Sequence, residues 1–298
     1  MSILLTKETR VLIQGITGKE GQKAAQSMLS YGTQVVGGVR PGKAGEMVEG
    51  RPVFNSVADA KAELGPIDIT TIYVPPFAAK EAFLEAIESD IPLINTIVER
   101  IPIKDTAYCL AAAKERGIRI IGPSSLGFIA PGIGRIGVVG GPKELADQIF
   151  QPGSIGIISR SGGMTNEVSW QIRKAGMGQS TAVHVGGDLL MGTTYADLLE
   201  MFEQDIQTRA VVIYGEHGGS YEFEIVNMIL QKRFTKPLAI YIGGKFTKVL
   251  PEGINIGHAG AIVARGQGAE EKSAALASVG VMIAQTYEDL VQLVQPYA

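Results

Sequence analysis

Two α/β domains in tandem, each built on a largely parallel sheet, are the fold class that this sequence predicts. Short apolar runs of strand length alternate with longer amphipathic runs through both halves of the chain, a pattern typical of βαβ units. The strand runs are almost entirely apolar, as expected where helices cover both faces of a sheet. The length of 298 residues suits two domains of ordinary size.

The first half alternates regularly between strands and helices. Strands are predicted at residues 10–14, 34–39, 67–74, 93–98 and 118–121. Helices are predicted from the glycine-rich turn to about residue 31, at 78–89 and at 105–116. Residues 122–153 break this pattern with four prolines and many glycines, which places a domain junction there.

A second series of the same kind follows the junction. Strands are predicted at 154–158, 180–185, 210–214 and 238–242. Helices are predicted at 164–174, 195–204, 221–232, 270–278 and 287–294.

Composition narrows the class of protein. Hydrophobic residues make up 45% and charged residues 19%, which supports well-buried cores. The net charge of −3 and the lack of a basic run argue against a nucleic-acid partner. One cysteine, Cys109, precludes an internal disulfide framework and is expected to be a small core residue. With no bilayer-length apolar segment and no signal-peptide pattern, we expect a cytoplasmic protein without membrane contact.

A glycine-rich turn joins the first strand to the first helix. Its glycines, Gly15, Gly18 and Gly21, follow a G-x-x-G-x-x-G spacing, which matches neither the usual dinucleotide fingerprint nor a P-loop. Helix N-termini after parallel strands attract phosphate groups. The turn therefore indicates either a phosphate site or a feature needed only for chain geometry.

Other loops follow strands at the same predicted sheet edge. They contain Lys43, the Tyr73–Pro76 run and the Asn95–Glu99 run. Taken singly, each is more easily explained as an ordinary connection. Their shared edge favours an elongated groove for a nucleotide-like ligand, with Lys43 offering a point charge to phosphate.

The second domain carries two further motifs. Ser-Arg-Ser-Gly-Gly at 159–163 links a strand to a helix, with Ser161 as its expected N-cap, and indicates either an anion site or only a capped helix start. His258 lies between small residues, so its ring is reachable and could accept a phosphoryl group if a carboxylate such as Glu216 held one nitrogen. A loop histidine or a metal ligand are the alternatives. Zinc binding with His184 and His217 is disfavoured because their spacing matches no familiar metal motif.

These motifs together resemble the alpha subunit of succinyl-CoA synthetase. Gly-His-Ala-Gly-Ala at 257–261, Ser-Arg-Ser-Gly at 159–162, Gly-Glu-x-Gly-Gly at 215–219 and Gly-Gly-Asp at 186–188 carry the resemblance, which covers essentially the whole chain. It implies a Rossmann-like CoA-binding domain at 1–130, followed by a flavodoxin-like parallel α/β domain at 131–298 that bears the phosphohistidine.

The resemblance also implies roles for individual residues. His258 would carry the phosphoryl group, Glu216 would orient it, and Ser161, Gly162 and Gly163 would bind its phosphate. Coenzyme A would be bound by Thr17, Gly18, Lys19, Glu20, Gly21, Val39, Lys43, Tyr73, Val74, Pro75, Thr96 and Glu99. No resident metal is expected. A beta subunit with an ATP-grasp domain would hold ATP and Mg²⁺, which makes a hetero-oligomer the expected form.

Four departures from the succinyl-CoA synthetase pattern resemble the corresponding module of ATP-citrate lyase. Gly-Pro-Ser-Ser-Leu-Gly at 122–127 replaces Gly-Pro-Asn-Cys-Pro-Gly, and Gly-Gly-Met-Thr-Asn-Glu at 162–167 replaces a Gly-Thr-Leu stretch. The segment at 245–256 replaces a shorter basic loop, and residues 141–152 contain an extra stretch. His217 stands where the family pattern usually has an aliphatic residue, and nothing in the sequence explains this substitution.

We therefore expect the small subunit of an ADP- or GDP-forming acid–CoA ligase, with citrate as the acid and citryl-CoA as the product. A succinyl-CoA synthetase alpha subunit is the first alternative, and a non-catalytic CoA-binding regulator is another. A nicotinamide-dependent oxidoreductase on the same fold is disfavoured by the glycine spacing.

Overall fold

Two seven-stranded sheets organise the residues that the computed structural model describes, which are 2–245, 258 and 268–298. The first sheet has the strand order β3-β4-β2-β1-β5-β6-β7 and is parallel except for the pairing of β3 with β4. The second has the order β14-β13-β12-β10-β11-β8-β9 and is parallel except at β8 and β9.

The first sheet is formed by residues of the N-terminal half. Its strands are β1 (Arg10–Gln14), β2 (Gln34–Val39), β3 (Met47–Val48), β4 (Arg51–Phe54), β5 (Ile69–Ile72), β6 (Leu93–Thr96) and β7 (Arg119–Ile121). The helices of this half are α1 (Lys19–Ser30), α2 (Val57–Leu64), α3 (Ala79–Glu88) and α4 (Ile103–Glu115).

The second sheet begins with an antiparallel hairpin. Its strands are β8 (Gly127–Ala130), β9 (Gly134–Gly137), β10 (Pro152–Ser159), β11 (Gln179–His184), β12 (Ala210–Glu216), β13 (Leu238–Gly243) and β14 (Met282–Ile283). The helices are α5 (Lys143–Ile149), α6 (Gly162–Lys174), α7 (Tyr195–Gln204), α8 (Tyr221–Leu230), α9 (Ala269–Ala277) and α10 (Asp289–Val294).

Burial explains why the apolar runs form strands. Every residue of β5, β6 and β11 is buried, as expected for strands covered on both faces. One cluster packs Leu12 and Phe83 within the first domain, and another packs Ile157 and Val212 within the second. Cys109 is 1% exposed, which confirms the prediction of a core cysteine.

The two domains share buried contacts. A third apolar cluster includes Ile13 from the first sheet and Val183 from the second. Arg135 on β9 is fully buried, and its Nη2 donates to the carbonyl oxygen of Ser27 on α1 at 2.7 Å. The C-terminal end of α1 is therefore bound directly to the second domain.

In each sheet, successive strands are added first on one side of a central strand and then on its other side. In the first sheet β1 lies between β2 and β5, and in the second β10 lies between β11 and β12. The carboxyl ends of strands at such points are the usual ligand sites of open α/β sheets. The predicted motifs follow β1 and β10, so both lie where this rule expects a ligand.

The sequence pattern missed several short elements. The stretch between the strands predicted at 34–39 and 67–74 contains β3, β4 and α2, and the irregular stretch 122–153 contains β8, β9 and α5. Strand β8 pairs with β11, so residues 127–130 belong to the second sheet although the predicted boundary at 130/131 puts them in the first domain. Across the described part of the chain, no helix combines the length and apolar character needed to cross a bilayer.

Candidate active site

His258 and Glu216 form the central contact of the second domain's site. The Nδ1 atom of His258 lies 2.6 Å from Oε1 of Glu216, the last residue of β12. The His258 side chain is 39% exposed and that of Glu216 is 11% exposed. The predicted pair is thus brought together, with the carboxylate mostly buried and the imidazole reachable.

Each member of this pair changes the ionisation of the other. The hydrogen bond to Glu216 raises the pKa of His258 above its ordinary value, against the opposing effect of burial. Burial would raise the pKa of Glu216, but the hydrogen bond and charge of His258, with Arg160 nearby, hold it below the usual range. Glu216 is therefore an anion at neutral pH, suited to accept a hydrogen bond from the Nδ1–H group of the imidazole.

A glycine and a buried arginine form the other side of the histidine site. A Cβ atom at Gly187 would lie 2.6 Å from the His258 ring, so only glycine leaves room for the imidazole. Arg160 is 1% exposed. Its Nη2 donates to the carbonyl of Asp188 at 2.6 Å, and its Nε donates to the carbonyl of Gly186 at 3.4 Å. The arginine thus holds the loop against which the histidine lies.

The helix start predicted to bind phosphate is present as expected. Ser161 is the N-cap of α6 and its Oγ accepts a hydrogen bond from the backbone N–H of Met164 at 3.4 Å. Thr165 Oγ1 donates to the carbonyl of Ser161 at 2.8 Å, which fixes the turn further. This 13-residue helix directs its positive end towards the edge of the sheet where His258 lies.

A buried ion pair supports the end of β12, where Glu216 lies. Lys272 on α9 and Glu222 on α8 are 0% and 1% exposed, and their side chains meet at 2.6 Å. Lys272 Nζ also donates to the carbonyl oxygens of Glu216 at 2.8 Å and Gly218 at 2.5 Å. Glu222 Oε1 accepts from the N–H of Glu216 at 3.4 Å. Both backbone polar groups of Glu216 are thus fixed by one buried pair.

In the first domain, close backbone packing explains the glycine spacing of the β1–α1 turn. Gly15 has a φ of +83°, and a Cβ atom there would lie 2.4 Å from the carbonyl oxygen of Tyr73. A Cβ atom at Gly21 would lie 2.3 Å from the carbonyl oxygen of Gly15. Gly18 is the N-cap of α1 and is exposed, so the helix start faces solvent. The glycines therefore allow the close backbone packing of this turn, and its helix start remains accessible to an anion.

A cleft of about 540 Å³ lies beside this turn at the switch point of the first sheet. Its walls include the predicted residues Val39, Val74 and Pro75. Thr17 is partly exposed at the turn, while Lys19, Glu20, Lys43 and Glu99 are exposed around it. Lys43 pairs with Glu46 at 2.7 Å, and both side chains are exposed.

Two predicted cofactor residues have buried side chains. Tyr73 is 9% exposed and packs in the apolar cluster that spans both domains. Thr96 is fully buried, and its Oγ1 accepts from the N–H of Val98 at 3.2 Å. In this arrangement both residues shape the edge of the sheet rather than present a side chain to the cleft.

Comparison with known proteins assigns both domains. Residues 6–100 match the family model of the CoA binding domain, and residues 152–296 match that of the succinyl-CoA ligase like flavodoxin domain. The chain is 41% identical over 296 residues to the succinate–CoA ligase [ADP-forming] subunit alpha 1 of Archaeoglobus fulgidus, covering 99% of this chain and 98% of the relative. The chain belongs to the succinyl-CoA ligase alpha-subunit family. The predicted family, fold class and acid–CoA ligase activity are thereby confirmed.

The relatives of this alpha subunit are named for more than one acid. It is 44% identical to the succinate–CoA ligase [ADP-forming] subunit alpha of Aquifex aeolicus, covering 95% of this chain and 90% of the relative. It is 41% identical to the ADP-forming sulfoacetate-CoA ligase subunit SauD of Bilophila wadsworthia, covering 96% and 95%. Family membership therefore leaves the acid open.

Solved structures share the fold. The ATP citrate lyase of Methanothrix soehngenii, in complex with citrate and coenzyme A, superposes with a TM-score of 0.92 at 24% identity. The match covers 99% of this chain and 50% of that chain, so the alpha subunit spans about half of the larger enzyme. At this identity the likeness shows the fold alone.

The other two histidines are buried. His184 is 4% exposed and both of its ring nitrogens are hydrogen-bonded within the protein. His217 is 6% exposed and packs against Gly244. Among the residues described, no group of three or more His, Cys, Asp or Glu side chains is arranged to hold a metal ion.

The sequence predicted the pairing of His258 with Glu216 but not the side chains that support it. Lys272 and Glu222 lie 56 and 6 residues from Glu216 along the chain, and neither belongs to a motif. Arg160 lay inside the Ser-Arg-Ser motif, but nothing in the sequence showed that its guanidinium is buried. Of the segments 245–256 and 257–261, only Lys245 and His258 belong to the described residues.

Proposed function

We propose that this alpha subunit works with an ATP-grasp beta subunit and carries a phosphoryl group on His258 during acyl-CoA synthesis. The contact between His258 Nδ1 and Glu216 carries the proposal. A carboxylate on Nδ1 fixes the tautomer in which Nε2 has a free lone pair, which is the form able to attack phosphorus.

The reaction then divides into three transfers. ATP, held with Mg²⁺ on the beta subunit, gives its γ-phosphoryl group to Nε2 of His258 and leaves as ADP. A carboxylate oxygen of the acid next takes the phosphoryl group, which returns the imidazole to its neutral form. The sulfur of coenzyme A finally attacks the acyl carbon, and inorganic phosphate leaves. Ser161, Gly162 and Gly163 support the phosphoryl charge through the N-terminus of α6.

Coenzyme A would bind along the carboxyl edge of the first sheet. The α1 N-terminus and exposed Lys43 suit its phosphates, and the cleft of about 540 Å³ suits an apolar part of the molecule. The segment after β6 is linked to the histidine site, because Ser124 Oγ donates to Glu99 at 3.2 Å and the neighbouring Pro123 carbonyl packs closely on Gly186, which precedes the glycine that contacts His258. The thiol end of the ligand can therefore approach the phosphohistidine.

Labelling with γ-³²P-ATP tests the proposal in the reconstituted heteromer. Wild type should acquire acid-labile phosphate, whereas His258→Asn should acquire none and should lose thioester synthesis. A His258→Asn complex with undiminished thioester synthesis would rule the proposal out. Coenzyme A binding by His258→Asn, measured by calorimetry, checks that the first domain remains intact. Absence of acid-labile label in the wild type would favour a CoA-binding regulator over a ligase.

For the acid, we propose citrate. Gly163 lies in the first turn of α6 without a positive φ, and a Cβ atom there would meet no atom of the described residues within 4 Å. Neither packing against these residues nor backbone conformation therefore requires glycine at this position. Its small size leaves space beside the helix start for an acid larger than succinate.

Succinate is the second candidate, because the relatives from Archaeoglobus fulgidus and Aquifex aeolicus are named for it. Steady-state rates with citrate, succinate, malate and sulfoacetate separate the possibilities. Gly163→Thr should raise the KM for citrate more than that for succinate, with Gly163→Ala intermediate. A wild-type preference for succinate would overturn the citrate assignment and leave the ligase proposal standing.

A further inference from the structure

The ring of His184, at the end of β11, lies directly behind the start of α6. Its Nδ1 accepts a hydrogen bond from the N–H of Leu126 at 2.8 Å. Its Nε2 lies 3.0 Å from the carbonyl oxygen of Arg160. A Cβ atom at Gly162 would come within 3.3 Å of its Cε1 atom, so ring and helix start are in contact. His184 therefore joins the 122–127 segment to the arginine that precedes the phosphate-binding turn.

The two hydrogen bonds require one form of the imidazole. Because Leu126 donates to Nδ1, the ring proton must be on Nε2, where it donates to the Arg160 carbonyl. Burial agrees with this form, since it lowers the pKa of His184 to about 4 and keeps the ring neutral at ordinary pH. The residue is thus an uncharged bridge with a defined direction.

Residue 126 can donate its backbone N–H to His184 only if it is not proline. The succinyl-CoA synthetase pattern has proline there, which lacks an N–H and could not make the bond. The neighbouring Ser125 fixes the same strand end, because its Oγ donates to the His184 carbonyl and accepts from the N–H of Gly127 at 2.9 Å. Leucine at 126 and histidine at 184 therefore form a matched pair.

We propose that His184 is a positioning residue for phosphoryl transfer, which fixes the Arg160 carbonyl and thereby aligns the start of α6 with His258. Arg160 transmits this effect in two directions. Its backbone leads into Ser161 and Gly162, and its guanidinium holds the Gly186 and Asp188 carbonyls on either side of the glycine that contacts His258. The inference rests on the proposed phosphohistidine function.

Two substitutions separate the roles of the ring nitrogens. In His184→Gln the side-chain amide reaches the place of Nε2 and can still donate to Arg160. In His184→Asn it reaches only the place of Nδ1 and can still accept from Leu126. We expect His184→Asn to slow phosphorylation of His258 and to lower kcat roughly ten- to hundredfold, with the KM for coenzyme A unchanged. His184→Gln should recover most of this loss.

A second pair of variants tests the hydrogen bond that the Leu126 N–H donates to His184. Leu126→Pro removes both the leucine side chain and its N–H, whereas Leu126→Ala removes only the side chain. Nitrogen-15 NMR of His184 should show an Nε2-protonated ring in the wild type and in Leu126→Ala, and a changed tautomer balance in Leu126→Pro. This spectroscopic readout does not depend on activity.

Equal effects of His184→Asn and His184→Gln on kcat, or an unchanged ring in Leu126→Pro, would overturn the positioning role. Either result can be obtained while wild type still forms phosphohistidine, so the inference can fail with the proposed function intact. Absence of phosphohistidine in wild type would instead refute the proposed function.

Discussion

The two glycine-containing turns of this alpha subunit occupy equivalent places in their sheets but are held in different ways. The β1–α1 turn is shaped by backbone packed on backbone, and the charges around it are exposed. The β10–α6 turn contains the buried Arg160 and lies against the buried His184, and the neighbouring end of β12 is held by the buried Lys272–Glu222 pair. One turn is built from small residues and the other from fixed charges and dipoles.

The difference matches the tasks proposed for the two turns. Exposed lysines can adjust to the phosphates of a large ligand and contribute little to folding. Groups that must stabilise charge during a transfer need to be oriented beforehand in a site shielded from water. Substitutions at the two turns should therefore affect different quantities, and their effects can be ranked.

The largest effect on stability is expected at the buried pair. Lys272→Met leaves the Glu222 carboxylate buried without its cation, so the free energy of unfolding should fall by roughly 3–5 kcal/mol. Urea denaturation measures this loss. The double variant Lys272→Met/Glu222→Leu removes both charges and should recover much of it. If the double variant is as unstable as Lys272→Met, the unpaired charge of Glu222 does not cause the loss of unfolding free energy.

The next effect is expected at Glu216 and concerns activity. Glu216→Gln keeps the size of the side chain but removes its charge, and should lower the plateau rate of His258 phosphorylation roughly hundredfold.

The same substitution should change the pH profile. Only the neutral imidazole has a free Nε2 lone pair, so the rate rises as pH increases through the His258 pKa. Glu216 raises that pKa, and its replacement should move the midpoint to lower pH. A midpoint that stays in place would indicate that another group controls the acid limb.

A smaller effect on stability is expected in the first domain. Gly21→Ala brings a Cβ atom to 2.3 Å from the Gly15 carbonyl oxygen, so it should cost about 1–3 kcal/mol of unfolding free energy. Gly163→Ala, also in the first turn of a helix, brings its Cβ atom within 4 Å of nothing in the part of the chain that the structure describes, and should be neutral or slightly stabilising. Similar losses at both positions would remove the packing explanation for the first turn.

The smallest change in stability is expected at Lys43. Lys43→Ala breaks only an exposed ion pair with Glu46, so the urea midpoint should remain near that of wild type. The KM for coenzyme A should nevertheless rise, because a charge facing the ligand is lost. A large drop in stability would contradict the division between exposed and buried charges drawn above.

Most of the regular framework was predictable, and the exceptions have a common cause. Strands such as Arg10–Gln14 and helices such as Tyr195–Gln204 have the expected bounds. Burial on both faces gives a strand a short continuous apolar run, and burial on one face gives a helix a 3.6-residue period. The short strands β3 and β14 have two residues each, too few to show any period. The β8–β9 hairpin was missed because its glycines resemble a loop pattern.

The sequence by itself determined the family and predicted the histidine that we propose to react and its carboxylate, because these depend on residue types held at fixed spacing in short motifs. Tertiary structure decided the supports: Lys272 and Glu222 beneath Glu216, and His184 and Leu126 behind the start of α6. These contacts join segments up to 58 residues apart, and their strength comes from burial, which a linear pattern does not record.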